Sequence, residues 1–204
     1  MKVIAINGSP HQEGSTYTAL TMIGEELAAQ GIDFEILQVG SQAIQGCTGC
    51  NVCHKQGRCI YEDGVNTARA KIQEADGVIL SAPTYYGGIA GGAKCFYDRL
   101  FYSGTKIRGK VASAVTVARR SGGEDVFHQL NSYLTLGGAV IAPTSYWNVI
   151  HGHNGAEIKQ DAEGVAVLKI VGRTMSWLIK SLGATKEQYP CPDMNKGVAT
   201  NFIR

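Results

Sequence analysis

Four cysteines lie close together in the segment QGCTGCNVCHKQGRC, as Cys47, Cys50, Cys53 and Cys59. Their spacing, C-x₂-C-x₂-C-x₅-C, brings several sulfur atoms within reach of one small inorganic centre or of one another. Thiolates are the usual ligands of iron–sulfur clusters and are common ligands of structural zinc. The segment therefore predicts electron transfer or metal binding, and we expect residues 46–60 to form one cysteine loop.

A polar, glycine-containing segment, NGSPHQEGST over residues 7–16, separates an apolar run from a helical pattern. The free N–H groups at the start of a helix favour a bound anion. A P-loop would require a lysine after its second glycine, but none follows Gly14. The segment therefore suits a terminal phosphate such as that of FMN, and the alternative is an ordinary loop with Ser15 as the helix N-cap. Its candidate cofactor-binding residues are Ser9, His11, Ser15 and Thr16.

A third segment, SAPTYYGG over residues 81–88, follows another apolar run. Its adjacent tyrosines offer stacking surface, and its glycines let main-chain N–H groups approach a ligand closely. A flavin needs a planar contact for its ring and donors that stabilise the negative charge of the reduced form. The alternative is a proline–glycine turn with exposed tyrosines. The candidate ring-binding residues are Pro83, Thr84, Tyr85, Tyr86 and Gly87.

Weaker signals follow later in the chain. In the segment RRSGG, Arg119 and Gly122 are candidates for contact with the flavin edge or with the 2′-phosphate of NADPH, and the alternative is a solvated turn. The segment SYWN, residues 145–148, is a candidate cover for the ring or for a neighbouring subunit. His151 and His153 form an H-x-H pair in a glycine loop, which is more typical of an exposed turn, and we assign them no role.

Strand-like and helix-like segments alternate five times, and the strands are apolar enough for a parallel sheet buried on both faces. This pattern predicts one α/β domain over residues 1–183, with a flavodoxin-like, doubly wound, three-layer α/β/α architecture and strand order 2-1-3-4-5. Residues 184–204 are predicted to form a C-terminal arm. The predicted strands cover residues 3–6, 34–39, 77–81, 111–117 and 139–142. The predicted helices cover residues 16–30, 65–74, 91–101, 124–136 and 164–181.

The two glycine-containing segments and the cysteine loop together resemble the NADPH-dependent FMN reductase and iron–sulfur flavoprotein family. The matching motifs are NGSP-x₄-ST, CTGCNVCHKQGRC and SAPTYYGGIAGGAKCFYDR. The resemblance implies bound FMN, electrons from a reduced nicotinamide, and homodimers or homotetramers with the flavin near a subunit interface. By matching positions, it implies that Ser9, Ser15 and Thr16 hold the phosphate and that residues 83–87 line the ring. In the iron–sulfur members, four cysteines with the spacing of Cys47, Cys50, Cys53 and Cys59 ligate a 4Fe-4S cluster.

Four interpretations of the cysteine loop remain open. The loop holds a 4Fe-4S cluster, or it persists in a protein that carries only flavin, or it binds zinc, or it forms a redox-active disulfide within Cys47/Cys50 or Cys50/Cys53. Cys95 and Cys191 lie outside the motif, and we expect them to be bystanders.

Composition excludes some partners. The formal net charge of +2 favours neither a nucleic acid nor an anionic membrane. No apolar run approaches the roughly 20 residues that a bilayer-spanning helix needs. We see no secretion signal, and so we expect a cytoplasmic protein with reduced or metal-bound thiols.

The hypothesis is an NAD(P)H-dependent, FMN-containing oxidoreductase that reduces a quinone, a nitro or azo compound, or a redox protein. The cofactor carries such chemistry, so the sequence identifies no catalytic side chain. One alternative is an electron carrier with flavin and cluster that works between proteins. The other is a thiol or zinc module on the same fold without flavin.

Overall fold

The computed structural model describes residues 1–195, 197–198 and 200. The strands are β1 (Lys2–Asn7), β2 (Asp33–Gln38), β3 (Gly77–Tyr85), β4 (Gly88–Ile89), β5 (Val111–Ala118), β6 (Val140–Ile141) and β7 (Val149–His151). The helices are α1 (Ser15–Ala29), α2 (Val52–Gln56), α3 (Gly64–Glu74), α4 (Gly91–Tyr102), α5 (Gly123–Leu136), α6 (Gly155–Ile158) and α7 (Ala162–Thr185).

The main sheet has the order β2-β1-β3-β5-β6, and all four of these pairings are parallel. This confirms the predicted order, with β5 and β6 in the fourth and fifth places. The fifth place is divided, because β6 pairs with the beginning of β5 and β7 pairs in parallel with its end. The short strand β4 pairs antiparallel with β3, which brings the sheet to 7 strands.

Helices cover both faces of the sheet. Along β1, Ile4 and Ile6 point into the core beneath α3, α4 and α5, whereas Val3 and Ala5 point into the core beneath α1 and α7. This alternation follows from the two-residue period of a strand. All 8 residues of β5 are buried, as expected for a central strand covered on both faces. The flavodoxin-like three-layer architecture is therefore confirmed.

Strand β3 is longer than its sequence pattern predicts. It continues from the predicted end at Ser81 to Tyr85, and Pro83 is accommodated because β1 has already ended beside Ser81. A proline removes no ladder hydrogen bond on a side where no strand lies. Tyr86 and Gly87 then turn with φ angles of 51° and 70°. Two positive φ angles are typical of a type I′ hairpin turn, so the predicted ring loop is the tip of a β-hairpin.

Two short helices, α2 and α6, add to the predicted ones, and the last helix is longer than predicted. Helix α7 runs four residues beyond its predicted end at 181 and crosses the predicted domain limit at 183. Positions 196, 199 and 201–204 of the predicted arm lie outside the described residues. Within the described part of the chain, every helix is too short or too polar to cross a bilayer.

Candidate functional site

Three polar segments meet at the C-terminal edge of the parallel sheet. The first follows β1, and the second is the β3–β4 hairpin, because Asn7 pairs with Ser81 at that edge and the Gly8 N–H donates to the Ser81 carbonyl at 3.0 Å. The third follows β5. A Cβ atom added to Gly122 there would lie 3.1 Å from the Gly87 Cα, so the second and third segments are in contact. The predicted phosphate and ring segments are therefore neighbours.

The first turn of α1 is open to a ligand. Its N-cap residue is Gly14, which has no side chain to cap the helix, so Ser15 is the first helical residue and not the N-cap. The Ser15 and Thr16 hydroxyls make no hydrogen bond to the described residues. Uncapped N–H groups and the positive end of the helix dipole attract an anion. This end of α1 therefore has the chemistry of a phosphate site.

The chain before α1 is held rigidly. The Ser9 N–H donates to Asn7 Oδ1 at 3.1 Å, and Gln38 Nε2 donates to the Ser9 carbonyl at 2.7 Å. The buried Ser9 hydroxyl accepts from the His11 N–H at 3.1 Å, which leaves its own proton to donate, and the His11 side chain is exposed. A Cβ atom on Gly40 would lie 2.2 Å from the Gly8 carbonyl oxygen. The turn that follows β2 therefore packs directly on the loop between β1 and α1.

The segment predicted to bind the ring contains a threonine that contacts β5 and an exposed hairpin turn. Thr84 Oγ1 lies 3.3 Å from Thr116 Oγ1, and the Thr116 hydroxyl donates to the Ala82 carbonyl at 3.0 Å. Tyr85 is 47% exposed and Tyr86 is fully exposed. Arg119 is also exposed, at the end of β5. The structure thus brings Thr84, Gly87 and Gly122 together and leaves the tyrosines and Arg119 on the surface around them.

Residues 142–148 lie between β6 and β7. Asn148 is buried, and its amide donates to Ser113 Oγ at 3.1 Å and to the Ala114 carbonyl at 2.9 Å. It therefore ties the segment to β5. Tyr146 and Trp147 are exposed and pack edge to face with 4.8 Å between ring centroids. His151 lies in β7, with its Nδ1 3.4 Å from an Asp161 oxygen.

The four motif cysteines line one small cavity of about 20 Å³, which Tyr61, Arg99 and Tyr102 also line. The loop bends tightly because Gly49, Asn51 and Gly57 adopt left-handed conformations. All six cysteines of the chain are free thiols. In the part of the chain that the structure describes, no three His, Cys, Asp or Glu side chains are close enough, as they stand, to hold a metal ion.

Arg99, on α4, is the residue of this cavity that the sequence analysis missed. Its side chain is 1% exposed, and it binds the Asp63 carboxylate through two hydrogen bonds of 2.6 Å and 3.0 Å. It also donates two hydrogen bonds to Cys59 Sγ, at 3.3 Å and 3.2 Å. Burial opposes the charged guanidinium, but its bonds to Asp63 and Cys59 outweigh that effect and raise the pKa of Arg99. The sequence did contain a signal for Arg99: it lies three positions after Phe96, so it falls on the apolar face of the predicted helix, where a charged residue needs a buried partner.

The two other cysteines stand apart from the cavity. Cys95 is partly buried on α4, where a Cβ atom on Gly46 would lie 3.7 Å from its sulfur. Cys191 is exposed in the C-terminal arm.

The sequence matches the family described as NADPH-dependent FMN reductase over residues 1–154. An iron–sulfur flavoprotein of Methanocaldococcus jannaschii is 31% identical over 189 residues, which cover 88% of this chain and 98% of that protein. An NAD(P)H dehydrogenase (quinone) of Deinococcus radiodurans is 28% identical over 138 residues, which cover 65% of this chain and 68% of that protein.

Solved structures support the same fold. RosB with a bound formylriboflavin phosphate intermediate matches with a TM-score of 0.70 and 16% identity, and the match covers 100% of this chain and 92% of that one. The flavoenzyme NAD(P)H:acceptor oxidoreductase FerB of Paracoccus denitrificans matches with a TM-score of 0.63 and 17% identity, covering 88% of this chain and 97% of that one. Because the family match extends over residues 1–154 and a relative is 31% identical over 88% of the chain, this chain belongs to the NADPH-dependent FMN reductase family of flavodoxin-like flavin oxidoreductases.

Proposed function

We propose that the protein takes hydride from NADH or NADPH onto FMN and passes the electrons to a second acceptor. The acceptor is a quinone, a nitro or azo compound, or a redox protein. The observation that carries this proposal is that the segment leading from β1 into the uncapped α1 lies beside β3, while the β3–β4 hairpin contacts the Gly122 loop, at one edge of the sheet. An open α/β sheet binds its ligand at this edge, where the strand order reverses.

The start of α1 would hold the phosphate of FMN. Its first-turn N–H groups and the Ser15 and Thr16 hydroxyls have the donor chemistry that a phosphate requires. The Ser9 hydroxyl would donate its remaining proton from the rigid loop, with His11 at the rim. FMN supplies the hydride-accepting ring, so these residues act by binding and orienting it.

The hairpin and the loop after β5 would hold the ring. The main chain at Gly122 lies against that at Gly87, where a Cβ atom on Gly122 would come within 3.1 Å of the Gly87 Cα. Donors there would stabilise negative charge at the pyrimidine end of a reduced flavin. The exposed rings of Tyr85 and Tyr86 would shape the acceptor pocket, and Pro83 and Thr84 would support it. Arg119 would attract the 2′-phosphate of NADPH, which a guanidinium suits well.

The four-cysteine cavity favours a second function, in which the protein also binds a 4Fe-4S cluster and carries electrons to a redox partner. The thiols of Cys47, Cys50, Cys53 and Cys59 line one cavity. Four cysteine thiolates are the usual ligand set of such a cluster. The relatives named iron–sulfur flavoproteins support the same assignment.

Anaerobic purification followed by a visible spectrum and analysis of flavin, iron and zinc tests both functions. Flavin bands with bound FMN and about four irons for each chain would support both. Flavin bands without iron would leave a simple FMN oxidoreductase whose cysteines do not bind a cluster. Failure to take up added FMN, with or without iron, would contradict the main proposal.

A further inference from the structure

Arg99 is a buried cation beneath the cysteine loop, and all of its donors are engaged. A guanidinium has five N–H donors. Two of them point at the Cys59 sulfur, at 3.3 Å from Nε and 3.2 Å from Nη2. Two more bind the Asp63 carboxylate, and the fifth binds the Gln45 carbonyl oxygen at 3.2 Å. The orientation of the side chain is therefore fixed by three partners.

Among the four motif cysteines, Cys59 makes the most hydrogen bonds. The Cys59 N–H donates to Asn66 Oδ1 at 3.0 Å, and Asn66 Nδ2 donates to the Cys59 carbonyl at 3.0 Å. Cys47 and Cys50, in contrast, are exposed. The ring of Tyr61 lies 4.7 Å from the guanidinium carbon and covers Arg99 from another side. Water is thus largely excluded from the N–H···S contacts, which strengthens them.

We propose that Arg99 is a positioning residue that fixes the Cys59 sulfur as a cluster ligand and raises the reduction potential of the cluster through two N–H···S hydrogen bonds. This inference rests on the cluster proposed above. Reduction adds negative charge that spreads onto the ligand sulfurs, and donors to those sulfurs stabilise the reduced form. Asp63 offsets part of the positive charge of Arg99. Removing the arginine and neutralising the aspartate should therefore shift the potential in opposite directions.

The experiment is a redox titration of the anaerobically purified proteins, followed by the electron paramagnetic resonance of the reduced cluster. We expect Arg99→Gln to lower the potential, with the equilibrium constant for reduction falling roughly tenfold, about 59 mV for a one-electron couple. We expect Asp63→Asn to raise it. The matched control is Arg58→Gln, which removes the same charge next to Cys59. Arg58 is half-exposed and pairs with Glu62 at 2.8 Å, so its loss should leave the potential unchanged.

Opposite shifts for the two variants, with no shift for the control, would support the role of Arg99, because a purely structural effect would not change sign. Potentials of Arg99→Gln equal to those of the wild type would overturn it. If Arg99→Gln folds and binds FMN but no iron, the titration is made on Arg99→Lys, whose ammonium can replace only part of the contact with sulfur. An Arg99→Lys potential lower than that of the wild type would support the role of Arg99. An Arg99→Lys potential equal to or higher than that of the wild type would overturn it.

The wild-type protein separates this inference from the proposed function. A wild type that binds FMN but no iron would overturn the cluster and the role of Arg99 together. A wild type with a normal cluster, whose potential does not respond to either variant, would overturn the role of Arg99 alone.

Discussion

Gly40 leaves no room for a side chain beside the phosphate loop. A Cβ atom there would lie 2.2 Å from the Gly8 carbonyl oxygen and 2.4 Å from the Ser9 carbonyl carbon. These are main-chain atoms and cannot move aside as a flexible side chain can. We therefore expect Gly40→Ala to displace the loop, to weaken FMN binding and to destabilise the fold by about 1–3 kcal/mol. The measurements are the FMN dissociation constant from flavin fluorescence and the urea unfolding midpoint.

Gly91→Ala is the matched control for that change. A Cβ atom on Gly91, the first residue of α4, would meet no atom within 4 Å. Alanine also favours a helix over glycine, so this variant should keep its FMN affinity and be at least as stable as the wild type. Equal FMN affinities for Gly40→Ala and the wild type would contradict the proposed phosphate site.

Cys50 tests the ligand set of the proposed cluster. Cys50→Ser removes one thiol from the cavity without touching the segments after β1, β3 or β5. We expect the variant to lose iron and the cluster absorption while it keeps FMN. The measurement is the ratio of iron to flavin. Cys191→Ser, a change at an exposed cysteine in the C-terminal arm, should leave this ratio unchanged. Iron retained in full by Cys50→Ser would show that Cys50 is not a ligand.

Among the secondary-structure elements, α7 begins at a side-chain cap that depends on pH. The Asp161 carboxylate accepts hydrogen bonds from the Gly164 N–H at 2.9 Å and the His151 N–H at 2.8 Å. Partial burial opposes ionisation, but these bonds and the His151 imidazole lower the pKa of Asp161 below its ordinary value. A carboxyl group with a lowered pKa in the folded state stabilises the fold above its unfolded pKa of about 3.9, and this contribution is lost as the pH falls through the folded value.

We therefore expect Asp161→Ala to destabilise the protein by about 1 kcal/mol at pH 7, and the difference from the wild type to shrink below about pH 4. Urea unfolding at several pH values measures it. Asp161→Asn is the control, because asparagine is also a good N-cap and should lose less stability at neutral pH. A difference between Asp161→Ala and the wild type that stays constant down to pH 3 would contradict this account.

The sequence predicts the long elements of this fold well and the short ones poorly. The β5 segment VASAVTVA is a continuous run of β-compatible residues, and its burial on both faces of the sheet follows from that run. The β3–β4 hairpin was not predicted, because a two-residue strand has no measurable period. A tyrosine at a left-handed position, Tyr86, is also an uncommon turn signal. Arg99 was not predicted because its partners, Cys59 and Asp63, are about 40 residues away in sequence.

For the candidate site, spacing predicts which residues share a segment, and the four-cysteine cavity follows from the spacing within one segment. The meeting of Gly87 with Gly122 follows from the predicted sheet order, which places the segments after β3 and β5 at one edge. The hydrogen bonds that fix Ser9 and Asn148 were not predicted, because each joins the residue to a strand that is distant in sequence. The specific FMN and cluster contacts of the site residues stay predictions.

At the scale of the whole molecule, two neighbouring aromatic rings are exposed at the surface. Tyr146 and Trp147 lie in the segment between β6 and β7, next to Asn148, which ties this segment to β5. We propose that the protein forms a homodimer or homotetramer and that this aromatic pair lies in an interface. Large aromatic side chains contribute strongly when they become buried between subunits.

We therefore expect Trp147→Ala to shift the assembly toward the monomer in sedimentation velocity at micromolar concentration. The expected increase in the dissociation constant is roughly tenfold or more, as for truncation of an interface aromatic. Trp177→Ala is the matched control, because Trp177 is 61% exposed on α7 and lies outside the aromatic pair. A Trp147→Ala variant that sediments like the wild type would place the interface elsewhere.

The central claim is that FMN in this protein accepts hydride from a reduced nicotinamide. The most direct measurement is the anaerobic addition of NADH or NADPH to the FMN-loaded protein, followed by the decay of the visible flavin band in a stopped-flow instrument. We predict complete bleaching at a rate that saturates with nicotinamide concentration and requires no protein partner. A flavin that dithionite bleaches but neither nicotinamide reduces would contradict the claim and favour a carrier that receives its electrons from another protein.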